Sequence, residues 1–443
     1  MYRGRAMAER LRHLTRPIAL LVLLSVLSLA VRAAWLGQPC HAPCRSATDR
    51  VLIFDEDYYV NAARVIAGIR PPPGAQYVHA PLGRDPNSEH PQLSKLVIAG
   101  SIELFGDGPL AWRLGSLIAG SLSILGMFAL VRSAGGTNRV ALIAAALMAC
   151  DNLLLVHGRI GTLDIYVLCA MLWAAVLYLR RRPAVSGMVL GVGATIKLVA
   201  PYLLLVLALF EGWRVWTRLS KPRDAAIRFA CCTASAAVGF GALLALMDRI
   251  APPYDATAKT QLPPGPFHHI SHMLSYAAGQ TSPHGPSGIA SYPWGWLVDI
   301  KPIVYLNVNP ARPAPGLTHV HPAVHFLGMI SPPLLLLALP AAALATWRTL
   351  EARRSAFLTT PDVRLSALAV AWIAGTFLPF VLLSAIWKRT SYLYYMVIVM
   401  PGLYLSAALL VPRLWERRRR LLVVWGAALL LAAVGMYPLT PLP

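Results

Sequence analysis

Three adjacent acids stand near the start of the chain, in the stretch IFDEDYYVNAARVIAG that begins at Ile53. A carboxylate can act as a general base when it lies within hydrogen-bond reach of a hydroxyl whose proton it accepts. Adjacent side chains on a helix or strand point in different directions, so Asp55 and Glu56 are expected to have different partners. The structural alternative is that these acids cap a helix and favour its dipole.

Two cations further along the chain favour a chemical role for the acids. Arg113 and Lys197 lie inside apolar segments, and Asp151 lies near the external end of another. Ionisable groups at membrane depth are costly unless they are paired or hydrated, so we expect these side chains to share a polar cavity. Cations near carboxylates suit the binding of an anion beside a proton acceptor. A structural ion pair between Arg113 and Asp151 is the alternative.

The composition predicts the surroundings of these residues. Of the 443 residues, 57% are hydrophobic and 13% are charged, and the mean hydropathy is +0.57. Such a chain has too few charged side chains to cover a soluble globule of its size, so it reads as a polytopic membrane protein. The net charge of +21 comes from short basic clusters between apolar runs. Membrane topology explains these clusters better than a nucleic-acid partner does.

Apolar segments long enough to span a bilayer predict an all-α fold. They lie near residues 17–36, 109–131, 140–157, 161–179, 225–248, 322–347, 365–386, 390–411 and 421–438. A longer segment, 184–213, has basic residues on both flanks, and cytoplasmic loops collect lysine and arginine. We therefore predict a hairpin of two short or tilted helices there, with Lys197 near its turn. This gives about eleven transmembrane helices in one domain over residues 1–443, with the amino terminus inside.

The acids gather in two large external segments, residues 37–108 and 249–320. Helical spacing of apolar residues after Asp57, and again in HPQLSKLVIAGSIELFG, predicts two interfacial helices in the first of these loops. Cys40 and Cys44 lie in the same loop, where a local disulfide is a possibility. Histidines at 268 and 272, and at 319, 321 and 325, have no nearby glutamate of a zinc-peptidase motif, so we predict no metal site.

Six motifs occur together in an order that resembles a known family. They are FDEDYY, HPQLSK, FGDGPLAWRLGSLIAG, DNLLLVHGRIGTLD, GATIKL and SPHGPSGIASYPWGW. Their order and approximate spacing are similar to those of protein O-mannosyltransferases, which belong to the GT-C glycosyltransferases, and the resemblance covers residues from about 50 to 310. The second motif reads HPQLSK where the family has HPPLGK. An extra soluble domain of the eukaryotic members is not evident, which suggests a bacterial-type enzyme of the plasma membrane.

The resemblance implies a GT-C fold and an activity. Such enzymes transfer mannose, or here a related hexose, from a polyprenyl-phosphate carrier to Ser/Thr hydroxyls of secreted or membrane proteins, with inversion and on the external face. By this resemblance Asp55 is the general base and Glu56 orients the acceptor or the sugar. Arg113 and Lys197 are expected to contact the donor phosphate, with Lys95 in second rank. The residues expected to line the substrate cavity are His90, Asp151, Arg159, Asp164, His284 and Trp294.

The implied partners are the lipid-linked sugar, the protein acceptor and the bilayer, with no nucleic acid. No cofactor is predicted beyond the polyprenyl-phosphate sugar, which is a substrate, and dependence on a divalent metal is left open. One alternative is a related transferase that passes a lipid-linked sugar to a glycolipid or cell-wall glycan. Another is a transporter of lipid-linked sugars, whose charges would line a path open to both sides.

Overall fold

The computed structural model describes residues 2–41, 50–308, 317–318, 324–352 and 360–437. Within these ranges the chain is mainly helical. The helices are α1 (Tyr2–Ala33), α2 (Glu56–Ile66), α3 (Leu93–Phe105), α4 (Pro109–Ser133), α5 (Asn138–Cys150), α6 (Asn152–His157), α7 (Asp164–Leu179), α8 (Pro183–Ala194), α9 (Tyr202–Trp216), α10 (Pro222–Ile250), α11 (Pro266–Gly279), α12 (Pro293–Trp296), α13 (Pro332–Glu351), α14 (Pro361–Trp387), α15 (Met400–Arg417) and α16 (Arg419–Gly435).

Short antiparallel strand pairs occur in the loops. The strands are β1 (Cys40–His41), β2 (Tyr254–Asp255), β3 (Thr260–Gln261), β4 (Ile303–Val308), β5 (Leu317–Thr318) and β6 (Val324–Gly328). They pair as β1 with β5, β2 with β3, and β4 with β6. Because helices dominate every long apolar segment, the predicted all-α class is confirmed.

Four of the described helices, α4, α10, α13 and α14, are long and apolar enough to cross a membrane. The predicted count of about eleven spans, the single-domain boundaries and the loop boundaries 37–108 and 249–320 stay predictions. The segment 140–157, which we expected to be one span, is two helices separated at Asp151. The Asp151 carboxylate accepts from the Ser331 backbone N–H at 2.9 Å and from the Tyr404 hydroxyl at 2.6 Å. These bonds satisfy a buried charge at the helix break.

The segment 184–213 folds as the predicted pair of helices, α8 and α9. Residues 195–201 join them, and Lys197 lies in this connection. Helix α8 packs closely against α10 because Gly187 and Gly191 have no side chain at the contact. A Cβ atom at Gly187 would lie 2.2 Å from the carbonyl oxygen of Cys232, and one at Gly191 would lie 2.9 Å from that of Ala236. Small residues four positions apart allow such contact between helices in a bilayer.

Two helices, α2 and α3, form in the first loop, as predicted, and their placement at the membrane surface stays a prediction. Arg64 at the end of α2 forms an ion pair with Asp107 at 2.9 Å, just beyond α3. This loop also joins the second one, because isolated bridges connect Asp85 to Pro253 and Asn87 to Asp255. The two loops are therefore joined to each other by backbone pairing.

Candidate active site

A cavity of about 690 Å³ lies where the first loop meets the helix connections. Asp55 stands at one side of it and Lys197 at another, so the structure brings these two predicted residues together. The wall also contains many aromatic side chains. They are Phe54, Tyr58, Tyr59, Tyr202, Tyr276, Phe380, Tyr392, Tyr394 and Tyr395. The predicted cavity residue His90 lies in the same wall. A mostly apolar cleft with a few polar groups is typical of a small-molecule site.

The backbone before Asp55 directs its carboxylate. Phe54 has φ 55°, in the left-handed region that a bulky residue rarely adopts. Its ring stacks on Tyr305 with centroids 4.1 Å apart and meets the edge of Tyr394 at 5.6 Å, and these contacts hold the unusual turn. Asp55 then occupies the N-cap position of α2, but its side chain does not cap the helix. The capping alternative therefore does not account for Asp55.

The surroundings of Asp55 change its acidity. Burial raises the pKa of the Asp55 carboxyl to about 7, while the charge of Lys197 lowers it and that of Asp164 raises it. A desolvated carboxylate is less stable than a hydrated one, so it holds a proton more readily. A base whose pKa lies near neutrality can both accept and release a proton under ordinary conditions. The chemistry available to Asp55 is therefore proton removal from a bound group.

The ammonium group of Lys197 combines one carboxylate with two aromatic faces. Its Nζ donates to Asp164 Oδ1 at 2.7 Å, and it lies 5.2 Å from the ring centroids of both Tyr394 and Tyr395. Cations over aromatic rings are stabilised without being neutralised. Asp164, which we predicted to line the cavity, thus orients the Lys197 ammonium through this hydrogen bond.

A second cation in the cavity wall, Arg389, was not among the predicted residues. It donates to the carbonyl of Ala277 through one terminal nitrogen. The sequence signal was a basic residue two positions before the aromatic run SYLYY, just after a long apolar helix. Two cations in one wall create a local environment that suits a phosphate group.

Glu56 and Arg113 have a different arrangement from the one expected. Arg113 binds Glu56 in a bidentate pair, with Nε to Oε1 and Nη2 to Oε2 both at 2.7 Å. Glu56 also accepts from the backbone N–H of Ile53 at 2.8 Å and of Gly161 at 2.7 Å. Arg113 also donates to the carbonyl of Leu36 and, at 3.3 Å, to that of Val51. Because both side chains are buried and absent from the cavity wall, this geometry favours a structural pair over phosphate or substrate contact.

Lys95 is likewise bound to protein groups. Its Nζ lies 2.5 Å from Asp85 Oδ2 and donates to the carbonyls of Asn87 at 2.5 Å and His90 at 2.8 Å. Both members of the ion pair are fully buried. Burial, together with the charges of Lys197 and Lys95, lowers the pKa of His90 well below its usual range, so its imidazole is neutral. Lys95 therefore holds the motif HPQLSK in shape, and His90 is its cavity-facing member.

The other predicted residues lie outside this cavity. Asp151 bonds to Ser331 and Tyr404 and does not pair with Arg113, so that alternative was wrong. Arg159 donates to the Tyr437 hydroxyl at 3.1 Å and to the carbonyl of Ala34 at 2.9 Å.

The motif SPHGPSGIASYPWGW supplies no ionisable side chain to the cavity wall. His284 is exposed, and Trp294 is 51% exposed and stacks on Tyr292 with centroids 4.5 Å apart. Ile289 from the same motif does reach the cavity wall. The motif therefore borders the site through an apolar residue.

Histidines and cysteines form no grouped site in the described part of the chain. No three His, Cys, Asp or Glu side chains among the described residues are placed to hold a metal ion. His272 contacts the Ser88 hydroxyl at 3.1 Å, His268 is exposed, and the region of 319–323 lies outside the described residues. Cys40 is disulfide-bonded, and Cys44 lies outside the described residues.

Comparisons with known proteins show which proteins this chain resembles. The sequence model of the family described as dolichyl-phosphate-mannose-protein mannosyltransferase matches residues 89–238. A polyprenol-phosphate-mannose–protein mannosyltransferase of Corynebacterium glutamicum is 26% identical, over 82% of this chain and 78% of that protein. One from Mycolicibacterium smegmatis is 25% identical, over 88% of this chain and 81% of that protein.

Two solved structures share the fold. The Saccharomyces cerevisiae protein O-mannosyltransferase Pmt1-Pmt2 complex, bound to the sugar donor, gives a TM-score of 0.69 at 11% identity, covering 96% of this chain and 90% of that one. ArnT from Cupriavidus metallidurans, bound to undecaprenyl phosphate, gives a TM-score of 0.53 at 18% identity, covering 95% of this chain and 64% of that one.

The chain therefore has the GT-C fold that these two structures share. The chain is similar to protein O-mannosyltransferases in the matched residues 89–238 and in most of its length to the two curated relatives, so the resemblance read from its motifs is confirmed.

Proposed function

We propose that this enzyme transfers mannose from a polyprenyl-phosphate carrier to Ser/Thr hydroxyls of secreted or membrane proteins, on the external face of the plasma membrane. The observation that carries the proposal is the shared cavity of Asp55, Lys197 and Arg389. It offers a base for a hydroxyl and cations for a phosphate, which are the two needs of this reaction. The two relatives described above are polyprenol-phosphate-mannose–protein mannosyltransferases, which supports the same donor and acceptor.

The residues can perform the transfer in one displacement. The acceptor hydroxyl oxygen forms a bond to the anomeric carbon as its proton passes to Asp55. The bond from that carbon to the phosphate oxygen breaks on the opposite face, so the configuration inverts. The departing lipid phosphate keeps the electron pair and is already a stable anion, so it needs electrostatic support and no proton donor. Lys197 and Arg389 supply this support, and Asp164 keeps the Lys197 ammonium in place.

A transfer assay tests the function directly. Purified enzyme with radiolabelled polyprenyl-phosphate mannose and a Ser/Thr-rich peptide should yield labelled peptide. Base treatment should release the label by β-elimination, because an O-linked sugar on Ser or Thr leaves in alkali. A labelled lipid or glycan with no labelled peptide would favour the alternative, a related transferase acting on a glycolipid or cell-wall glycan. Donor moved across vesicles without any covalent product would favour a transporter.

Removing either cavity cation should weaken donor binding. We expect Lys197→Ala and Arg389→Ala each to lower affinity for the lipid-linked sugar by about tenfold to a thousandfold, because each removes one charge from the phosphate. Titration of purified protein with the donor in detergent measures this effect.

Two controls make that result specific. Lys388→Ala removes the exposed charge next to Arg389, outside the cavity wall, and should leave donor affinity unchanged. Lys197→Arg should recover part of the binding, because the charge is kept. Unchanged donor affinity in folded Lys197→Ala and Arg389→Ala proteins would contradict the assigned phosphate contacts.

A further inference from the structure

A second cavity, of about 930 Å³, adjoins the candidate active site. The two cavities share Tyr58, Glu89 and Tyr276, which form their common wall. The second cavity is bounded by residues 74–80 of the first loop and by residues 254–257 of the second loop. It is thus built from residues of the two predicted external segments, and it borders the first cavity, whose wall contains Asp55.

The two cavities differ in charge. The first contains two cations, Lys197 and Arg389, which suit a phosphate, and two acids, Asp55 and the shared Glu89. The second is lined by the acids Glu89 and Asp255, and Lys259 is its one lysine or arginine. An anionic lipid carrier therefore fits the first cavity better, and the second is left for a neutral or cationic molecule.

Glu89 has an unusual position between the cavities. Its Oε1 accepts from the Asn87 amide at 2.7 Å, and Asn87 also donates to the Tyr77 hydroxyl at 3.0 Å, so the carboxylate is held in one orientation. Within the described ranges Glu89 is in no salt bridge. Burial raises the pKa of its carboxyl, which means that its charge is poorly solvated. A cation brought by a ligand would stabilise that charge.

The size and the walls of the second cavity fit an extended chain. Small-molecule sites have volumes of roughly 300–1,000 Å³, so this cavity lies near the upper end of that range. Tyr77, Tyr254 and Tyr276 add aromatic faces with hydroxyl groups, and backbone segments run along both sides. Backbone edges and pockets for alternate side chains are the features by which proteins bind extended peptides.

We propose that this second cavity binds the acceptor as an extended polypeptide, and that Glu89 selects acceptors with a lysine or arginine next to the reacting hydroxyl. The inference rests on the proposed function, since it assigns the acceptor side of the same reaction. The hydroxyl reaches Asp55 where the two cavities meet, beside Tyr58, Glu89 and Tyr276. The flanking cation pairs with Glu89 as the hydroxyl enters.

Three peptides that differ at one position test the selection. Each contains the same threonine, followed by Lys, Gln or Glu. Wild-type enzyme should prefer the Lys peptide, and Glu89→Gln should lower kcat/KM for that peptide about tenfold while changing the Gln peptide little. Glu89→Gln should raise kcat/KM for the Glu peptide, because the repulsion between the two carboxylates is removed. Glu103→Gln, an exposed acid on α3 outside both cavities, is the matched control and should change none of the three.

A second variant tests the location independently of charge. Ala256→Trp places a large side chain in the wall of the second cavity. We expect a rise of tenfold or more in KM for every peptide, with the KM for the donor unchanged. Unchanged KM values for the peptides in Ala256→Trp would overturn this inference. An equal fall in kcat/KM for all three peptides in Glu89→Gln would also overturn it. A wild-type enzyme that labels no peptide at all would instead overturn the proposed function.

Discussion

Asp55→Asn is expected to abolish mannosyl transfer while leaving donor binding intact. The amide keeps the size and shape of the carboxyl but cannot accept the hydroxyl proton, so the loss should be at least 10²–10⁴-fold in kcat. Donor affinity should stay the same or improve slightly, because a negative charge near the phosphate has been removed. Single-turnover transfer and donor titration on the same preparation separate the two effects.

Asp57, two residues after Asp55, provides a matched control for Asp55→Asn. Asp57 lies in the first turn of α2, and its Oδ1 accepts from the Asn61 amide at 2.8 Å, so it does not belong to the cavity wall. Asp57→Asn makes the same chemical change two residues away and should retain most of the activity. Near-normal turnover by Asp55→Asn would contradict its role as the base.

The pH dependence should report the same group. Because the pKa of Asp55 is raised to about 7, kcat/KM should fall as the pH drops below 7 and reach a plateau above it. The residual activity of Asp55→Asn should lack this inflection.

The effect of pH on the free energy of unfolding is opposite in sign to the effect of an ion-paired acid. Ionisation of Asp55 disfavours the folded state as the pH rises from about 4 to about 7, so Asp55→Asn should be at least as stable as wild type at neutral pH.

Breaking the pair of Glu56 and Arg113 is expected to unfold the protein rather than to weaken donor binding. Each member is buried, and removal of one leaves the other without compensation for its charge. Such losses are about 3–5 kcal/mol. We therefore expect Glu56→Gln and Arg113→Met to lower the thermal unfolding temperature sharply in detergent. Arg113→Lys should also destabilise, since an ammonium cannot make the two parallel bonds of a guanidinium.

An exposed pair provides the comparison. Arg413 and Asp362 lie 2.9 Å apart but keep 39% and 47% of their side-chain surface exposed. Arg413→Met should change stability by less than about 1 kcal/mol, because water screens such pairs. A stable Arg113→Met protein that has lost donor affinity would show instead that Arg113 contacts the phosphate, as the motif resemblance implied.

The sequence was most informative where charge and apolar pattern combined. Basic residues on both flanks of 184–213 predicted a hairpin, and the hairpin places Lys197 in the same cavity as Asp55. The sequence pattern could not predict which acid each cation pairs with. Arg113 lies as far from Glu56 as from several other acids along the chain, and only the packing of α4 against the first loop brings them together.

Three further features had no sequence signal strong enough to use. The left-handed backbone of Phe54 depends on contacts with Tyr305 and Tyr394, which are distant in the chain. Arg389 follows a long apolar helix, where a lone basic residue is usually a boundary marker of the membrane. The break at Asp151 depends on Ser331 and Tyr404, and both are far away in sequence. Local patterns cannot report such long-range partners.

The Glu56 carboxylate accepts hydrogen bonds from three separate parts of the chain, at Ile53, Arg113 and Gly161. A nascent polypeptide in which those parts have not yet assembled cannot hold the neighbouring Asp55 in position. Under the proposed function, sugar transfer therefore requires that these parts have assembled, and an incompletely folded copy does not consume the lipid-linked donor.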